Sequence, residues 1–87
     1  MNPAFGTSIM FTVYALNSLN NKFIYVGMTE NLNDRLVRHN KGYVHSTKLF
    51  APFELIYTEK CGSGQQARER EKFLKSLVEN KVHGIVR

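Results

Sequence analysis

Apolar and polar residues are spaced along the chain in a way that predicts three strands and two helices. Residues 9–16 ("IMFTVYAL") and 23–28 ("FIYVGM") are rich in β-branched and aromatic side chains, and the turn-forming "NSLNNK" lies between them. This arrangement predicts a β-hairpin. Residues 53–59 ("FELIYTE") alternate apolar with polar positions, which predicts a third strand with at least one buried face. Helical spacing over residues 32–41 and 64–80 completes the order β-β-α-β-α.

The predicted hairpin brings two tyrosines close together. If residues 17–22 form its loop, Leu16 faces Phe23 and Tyr14 faces Tyr25. Opposed residues share one face of an antiparallel ladder. The two phenols then lie side by side, an arrangement that can serve packing alone as well as a functional site.

The first helix is bounded by recognisable signals at both ends. Asn31 is a suitable N-cap, Asp34 complements the positive end of the helix dipole, and Gly42 is suited to the position just after the last turn. At helical spacing Leu32 and Leu36 mark the buried stripe.

Arg35 and His39 lie one helical turn apart along one border of this stripe, with Arg38 turned further toward water. A side chain at such a border can be held by the core while its tip reaches a cleft. Two simpler interpretations stay open. The stem of Arg35 can cover apolar surface, and His39 can pack at the edge with its hydrogen bonds satisfied.

The second helix carries a carboxylate at the edge of its apolar stripe. Ser63 followed by Gln66 forms a capping box. The stripe consists of Ala67, Phe73, Leu74, Leu77 and Val78. Glu71 lies at its edge, where a carboxylate costs desolvation free energy unless it is paired. The pairing is either an ion pair with Arg35 or Arg70 or a metal ion, since hard divalent cations favour carboxylate oxygen.

The charge balance indicates a polyanionic partner. The 87 residues include 12 Lys and Arg against 7 Asp and Glu, which gives a net charge of +5 and a pI near 9.6. A basic balance of this size in a small chain favours nucleic acid over a membrane surface. The hydrophobic fraction of 43% is sufficient for a packed core.

The chain is expected to form one domain over residues 9–81, with a flexible leader at 1–8 and a C-terminal tail at 82–87. Its start does not resemble a secretory signal, and no apolar run approaches the ~18 residues that span a bilayer. The single cysteine, Cys61, excludes an intramolecular disulfide and fits a reducing compartment. We therefore expect a cytoplasmic protein without a membrane partner.

Several short motifs follow one another in a definite order. They are "TVY" at 12–14, "YVG" at 25–27, "GMTENLNDRLVRHNKG" at 27–42, "TK" at 47–48 followed by "AP" at 51–52, "ELIYTE" at 54–59 and "AREREKFLK" at 67–75. The ordered set resembles a GIY-YIG nuclease domain of the small stand-alone type, from Met10 to about Lys81. Thr12 stands where the first motif has its glycine, a position that varies in the family.

The resemblance implies a fold and a set of catalytic groups. The fold would be α/β (α+β), a small three-stranded, mainly antiparallel sheet flanked by helices. Tyr14 and Tyr25 match the motif tyrosines, one of which helps to activate the attacking water, and the sequence leaves open which one. Arg35 matches an arginine that supports the charge of the phosphorane, and His39 a histidine that handles or positions a proton. Glu71 matches the sole metal-binding carboxylate.

These residues together predict a divalent-metal-dependent endonuclease that hydrolyses phosphodiester bonds. One Mg²⁺ or Mn²⁺ is expected, because two-metal sites need several clustered carboxylates and only Glu71 stands at a suitable border. A phenol is a poor base at its reference pKa of ~10. We therefore expect the positive charge of Arg35, His39 and the metal to lower that pKa.

The expected substrate is nucleic acid, with DNA favoured over RNA, selected by structure rather than by sequence, as in DNA repair or recombination. Any sequence preference would come from a homodimer or a separate recognition partner. The residues predicted to contact nucleic acid are Gly27, Thr29, Asn31, Lys41 and Lys48.

Two other classes of protein fit the same composition. One is a non-catalytic nucleic-acid-binding module that uses the same basic cleft, and the other is an interaction or scaffold protein with a chance basic surface. The first has no use for a carboxylate at a buried edge, so Glu71 argues against it. The second would show no salt-dependent binding to DNA or RNA.

Overall fold

The computed structural model describes residues 10–81 and 85–86 of the chain, so the predicted leader at 1–8 lies outside the described residues. The strands and helices in chain order are β1 (Phe11–Ser18), β2 (Phe23–Thr29), α1 (Leu32–Asn40), a short 3-10 helix (Lys48–Phe50), β3 (Phe53–Cys61), α2 (Gly64–Lys81) and β4 (Ile85–Val86). The predicted order β-β-α-β-α is confirmed, and β4 adds a short strand within the segment predicted as a tail.

The sheet has the strand order β3-β1-β2-β4. The central strand β1 is antiparallel to both β2 and β3, so the predicted three-stranded antiparallel sheet is confirmed. The two residues of β4 pair in parallel with Phe23 and Ile24 of β2.

The register of the hairpin differs from the prediction. Tyr14 lies opposite Gly27, and Leu16 lies opposite Tyr25, so the predicted pairing of Tyr14 with Tyr25 is wrong by two residues. A shift by two preserves the face on which each side chain lies. The two tyrosines therefore remain on one face of the sheet, as diagonal neighbours instead of directly opposed ones.

The register changes because β1 continues further than its composition suggests. Asn17 and Ser18 belong to the strand, which leaves a loop of only residues 19–22. The hydroxyl of Ser18 donates to the carbonyl of Phe50 at 2.6 Å and accepts from the backbone N–H of Asn21 at 3.2 Å. These hydrogen bonds hold the end of β1 and the start of the loop in place.

The two helices pack on opposite faces of the sheet. Alternate residues of a strand point to opposite sides, so the same strands contribute side chains to a separate core on each face. On the α1 face the core is formed by Tyr14, Leu16, Phe23 and Phe53, with Leu32 and Leu36 of α1 against it. On the α2 face it is formed by Val13, Ala15, Val26, Cys61 and Ala67, with Leu74 and Val78 of α2 against it.

Both predicted helix starts are confirmed. The Asn31 side chain accepts from the backbone N–H of Asp34 at 3.1 Å. At the start of α2, the Ser63 hydroxyl accepts from the N–H of Gln66 at 3.1 Å, and the Gln66 side chain accepts from the N–H of Gly62 at 3.0 Å. The second helix thus has a capping arrangement whose return hydrogen bond reaches one residue further back than in the usual box.

The end of α1 also follows the prediction. Gly42 has a φ of +76°, a left-handed conformation that glycine adopts at little cost, and its N–H donates to the carbonyl of His39 at 3.1 Å. This closes the helix directly behind the imidazole of His39.

Two expectations about burial are wrong. Phe73 and Leu77 were placed in the apolar stripe of α2 but are 48% and 39% exposed. Among the described residues, α2 contributes Ala67, Leu74 and Val78 to the core.

The third strand was expected to bury one face, yet its central residues Leu55, Ile56 and Tyr57 are 41–49% exposed. The reason is its place at the edge of the sheet. Only its two ends, Phe53 and Cys61, are buried.

Candidate active site

Two phenol rings occupy the middle of the α1 face. Tyr14 on β1 is 1% exposed, and its ring centroid lies 6.0 Å from that of Tyr25 on β2. Gly27 lies between them, and a Cβ at this position would lie 2.7 Å from Cε2 of Tyr25 and 2.8 Å from Oη of Tyr14. The glycine was expected to admit substrate. In the structure it is required by the two rings themselves, and its contact with nucleic acid stays a prediction.

His39 connects this pair to α1. It lies in the last turn of the helix and is fully buried. Its Nε2 is 3.1 Å from Oη of Tyr14, and its ring centroid is 4.7 Å from that of Tyr25. From its predicted border position, the side chain of His39 therefore points toward the sheet and both tyrosines.

Thr47 is a site residue that the sequence analysis missed. Its Oγ1 lies 2.8 Å from Nδ1 of His39, and the side chain is fully buried. It precedes the 3-10 helix Lys48–Phe50 in a segment without helical or alternating periodicity. Thr47 belongs to the "TK" motif of the ordered set, but that motif did not indicate a contact with His39, because only the tertiary fold brings this loop under α1.

The pKa of Tyr14 is raised in the free protein, first by burial and then by the neighbouring Tyr25, with the charge of Arg35 acting in the opposite direction. In the free protein burial thus outweighs the charge of Arg35, and the expectation that this charge and a bound metal together lower the phenol pKa stays a prediction. Burial, followed by the charge of Arg35, lowers the pKa of His39 to about 4. At neutral pH both groups are uncharged.

Arg35 lies at the solvent side of this cluster. Its side chain is exposed, and its charge acts on both Tyr14 and His39. The ion pairs found among residues 10–81 do not include it. The guanidinium is thus in electrostatic reach of the phenol and the imidazole and has no carboxylate partner in that part of the chain.

Glu71 comes from the helix on the other face, but its charge contributes to the raised pKa of Tyr14. The carboxylate is therefore in electrostatic reach of the phenol. Its side chain is 19% exposed, and Oε2 lies 3.3 Å from Nζ of Lys75, one turn further along α2.

The partner of Glu71 differs from those considered from the sequence. Arg70 donates two hydrogen bonds, of 2.7 and 2.9 Å, to the carboxylate of Glu59 on β3. Arg70 is thereby paired with β3 and not with Glu71. A single lysine, itself partly exposed, is the cation that remains beside Glu71.

The residues present fit one hard divalent cation. No group of three or more His, Cys, Asp or Glu side chains in the described part of the chain could hold a metal, which argues against a cage made of protein ligands. A lone, largely buried carboxylate fits an ion such as Mg²⁺, which keeps several waters and takes further ligands from a phosphate.

The residues predicted to bind nucleic acid divide into two groups. Thr29 accepts from the N–H of Asn31 at 3.1 Å and donates to its carbonyl at 3.3 Å, and Asn31 caps α1. Both side chains thus have a structural role in the turn between β2 and α1. Lys41 and Lys48 are exposed, as nucleic-acid contacts would require.

Lys41 and Lys48 belong to a stretch of uniform charge. Residues 35–53 contain four Lys or Arg and no Asp or Glu. Within this stretch Tyr43 and Leu49 are 66% and 81% exposed. We call residues 35–49 the basic surface.

The small α/β sheet with its two tyrosines and buried histidine fits a domain of the nuclease type. The family model of the GIY-YIG catalytic domain matches residues 10–83, and the chain belongs to the GIY-YIG family. The ordered motifs had indicated the same family.

Curated relatives of the chain are UPF0213 proteins. One from Natronomonas pharaonis is 35% identical over 75 residues, which is 85% of this chain and 87% of the relative. One from Clostridium perfringens is 34% identical over 58 residues, which is 66% of this chain and 62% of the relative. No solved structure matches the chain.

In the described residues, neither helix has the combination of length and hydropathy that crossing a lipid bilayer requires.

Proposed function

We propose that the protein is a divalent-metal-dependent endonuclease that hydrolyses phosphodiester bonds in nucleic acid, with DNA preferred over RNA. The observation that carries the proposal is the buried contact of 3.1 Å between Oη of Tyr14 and Nε2 of His39. The contact lies in electrostatic reach of the Arg35 guanidinium, which has no ion-pair partner among the described residues. A binding module has no need of a proton acceptor behind a buried phenol.

The contact provides a path for the proton of the attacking water. As the water oxygen forms its bond to phosphorus, the oxygen of Tyr14 takes a proton from the water. The proton of the phenol passes to Nε2 of His39, and the bond from phosphorus to the leaving oxygen breaks. The leaving oxygen keeps the bonding electron pair and takes a proton from solvent water, and His39 later returns its proton to solvent. The phenol never has to ionise beforehand, so its raised pKa is no obstacle. For this reason we assign the proton transfer to Tyr14 and a supporting role to Tyr25.

Arg35 supplies the charge that this step needs. A guanidinium is permanently protonated and matches the geometry of phosphate oxygens, so it stabilises the charge that builds up on the equatorial oxygens. In the free protein its charge disfavours an imidazolium at His39. A bound phosphate offsets that charge, which makes the proton transfer to His39 easier when substrate is present.

Glu71 would hold one Mg²⁺ or Mn²⁺. When bound, such an ion neutralises charge on the phosphoryl and leaving oxygens. The side chain of Lys75 would give up its contact with Glu71 and become free to face the nucleic-acid backbone.

The basic surface is proposed to hold the substrate. The exposed side chains of Arg38, Lys41 and Lys48 would contact phosphates, and such contacts release counterions and make binding salt-dependent. The exposed ring of Tyr43 offers a stacking platform for an unpaired base. We therefore infer selection of flap, junction or single-stranded structures, in a cytoplasmic role in DNA repair or recombination. Sequence preference would depend on a second copy or a separate partner.

The test is cleavage of duplex, flap, junction and single-stranded substrates, both DNA and RNA, in Mg²⁺ and in Mn²⁺. Arg35→Ala should lower the cleavage rate by at least ~10²-fold, as expected when a preorganised charge is removed from the transition state. Its fold should be retained, because the side chain is exposed. Arg68→Ala, an exposed arginine on α2, is the matched control and should cleave like the wild type.

Two results would contradict the proposal. Salt-dependent binding without cleavage of any substrate would indicate the non-catalytic module, and no binding at low salt would indicate an interaction protein.

A further inference from the structure

Behind His39, on the side away from the tyrosine, lies a second buried polar group with no part in the chemistry proposed above. Thr47 is fully buried in the loop that follows α1, and its Oγ1 is 2.8 Å from Nδ1 of His39. The same Oγ1 lies 3.4 Å from the carbonyl oxygen of Val44. A chain of three contacts thus runs from Tyr14 through His39 and Thr47 to the backbone of Val44.

The number of available protons determines in which direction these three hydrogen bonds run. Tyr14 and Thr47 each have one hydroxyl proton, a neutral imidazole has one N–H, and the carbonyl of Val44 can only accept. If Thr47 donates to Val44, Nδ1–H of His39 donates to Thr47 and Nε2 accepts from Tyr14. All three contacts then contain a proton. If Thr47 instead donates to Nδ1, its contact with the carbonyl of Val44 brings two oxygens together without a proton between them.

We propose that Thr47 is a positioning residue that holds His39 in the Nδ1–H tautomer, so that Nε2 stays free to accept the proton of Tyr14. The inference deepens the proposed function and rests on it for its effect on rate. Thr47 itself touches neither substrate nor metal. It acts by determining which imidazole nitrogen carries the proton, as the second hydrogen bond of a functional histidine generally does.

The backbone keeps Thr47 in this position. Its N–H donates to the carbonyl of Val44 at 3.1 Å, and its carbonyl accepts from the N–H of Phe50 at 2.9 Å. It is the residue before the 3-10 helix Lys48–Phe50 and caps it without using its side chain. The hydroxyl is therefore available to His39, and removing it should leave the turn intact.

The first experiment is a measurement of the tautomer by two-dimensional ¹H–¹⁵N NMR of the imidazole. It needs no substrate and no metal. At neutral pH the wild type should show a protonated Nδ1 and an unprotonated Nε2 at His39. Thr47→Val, which keeps the shape and removes the hydroxyl, should lose this pattern, and Thr47→Ser should restore it.

The second experiment is the cleavage rate of the same variants. Thr47→Val should lower kcat by ~10- to 100-fold, the range found for groups that orient metal-ligating histidines in the same way. KM should change little, because Thr47 is buried away from the substrate. Thr47→Ser should lie within a few-fold of the wild type.

The outcomes separate the two proposals. An Nε2–H tautomer in the wild type would overturn the role of Thr47, and so would a Thr47→Val variant with unchanged tautomer and rate. If Thr47→Val fails to fold, the tautomer of the wild type decides alone. If the wild type cleaves nothing, the proposed function fails while the NMR pattern still tests the inference.

Discussion

The two faces of the sheet are built by the same strands but have different chemistry. The α1 face buries aromatic rings together with a histidine and a threonine hydroxyl, joined by hydrogen bonds. The α2 face buries mainly small aliphatic side chains such as Val13, Ala15 and Ala67. Because neighbouring residues of one strand point to opposite faces, substitutions one residue apart can separate chemistry from stability.

Glu71 does not fit this division of the sheet into two faces. Glu71 belongs to α2, the helix of the aliphatic face, and its charge nevertheless acts on Tyr14. With the proposed metal at Glu71, the active site requires both helices. Glu71 is therefore the first residue with which to test the comparison.

The largest effect is expected for Glu71→Gln. The change keeps the shape of the side chain and removes its charge, so metal-dependent cleavage should be abolished. The fold should survive, because among the described residues Glu71 makes one ion pair, with the partly exposed Lys75. The measurement is cleavage over a titration of Mg²⁺ and Mn²⁺.

Glu69→Gln is the matched control, because Glu69 lies two residues away on the same helix and is exposed. It should retain wild-type cleavage and metal dependence. Equal activity of the two variants would show that Glu71 does not have the role proposed for it.

The second prediction compares neighbouring positions of β1. Tyr14→Phe removes one hydroxyl and should lower kcat by ~10²–10⁴-fold, the usual contribution of general acid–base groups. It should destabilise the fold by only about 1 kcal/mol, since one buried hydrogen bond is lost. Val13→Ala should do the reverse, with about 1–3 kcal/mol of lost stability and normal kcat below its unfolding transition.

Urea denaturation and single-turnover cleavage of both variants measure the two effects. If Val13→Ala lowered the rate as much as Tyr14→Phe, the two faces would not be functionally separate.

The third prediction concerns the space between the phenol rings. Gly27→Ala should displace Tyr14 or Tyr25, because the added Cβ would lie under 3 Å from both rings. A misplacement of about 1 Å at a reacting group can cost about 10²-fold in rate, so we expect a loss of that order with the fold retained.

The control is Gly62→Ala, whose added Cβ would meet only the side chain of Gln66, at 4.0 Å. Cleavage by this variant should be normal. Binding of the wild-type substrate by Gly27→Ala should also be near normal. Strongly weakened binding would instead support the contact between Gly27 and nucleic acid that the sequence suggested.

Features that depend on neighbouring residues were predictable from the sequence. The caps at Asn31 and Ser63 follow from side chains that reach one turn along the chain, and the border position of His39 follows from helical geometry. The family motifs added the prediction that Tyr14, Tyr25 and Arg35 belong to one site, which no local pattern indicates.

Features that depend on distant contacts were not predictable. The hairpin register depends partly on a hydrogen bond from Ser18 to Phe50, 32 residues away. The role of Thr47 arises from a loop folding under α1, and the exposure of Leu55 from the edge position of β3. In each case the deciding partner lies outside the window in which periodicity and capping can be recognised.

The smallest expected effect is a pH dependence of stability that belongs to the α1 face. The pKa of His39 is lowered from 6.5 to about 4 by burial and by Arg35. Between these values the unfolded chain binds a proton that the native protein does not, so the free energy of unfolding falls as the pH is lowered. From pH 7 to pH 5 the loss should be about 2 kcal/mol.

The carboxyl group of Glu59 also has a lowered pKa, but it affects stability in a more acidic pH range. The hydrogen bond from Arg70 lowers the pKa of Glu59 below its usual 4.5, so its stabilising effect is lost only at more acidic pH. Urea denaturation between pH 7 and pH 5 therefore reports mainly on His39. His39→Gln should flatten the dependence, and His45→Gln, at an exposed position, should not. If His39→Gln retained the full slope, the imidazole would not be the group that loses its protonation on folding, and the neutral acceptor proposed for Tyr14 would lack support.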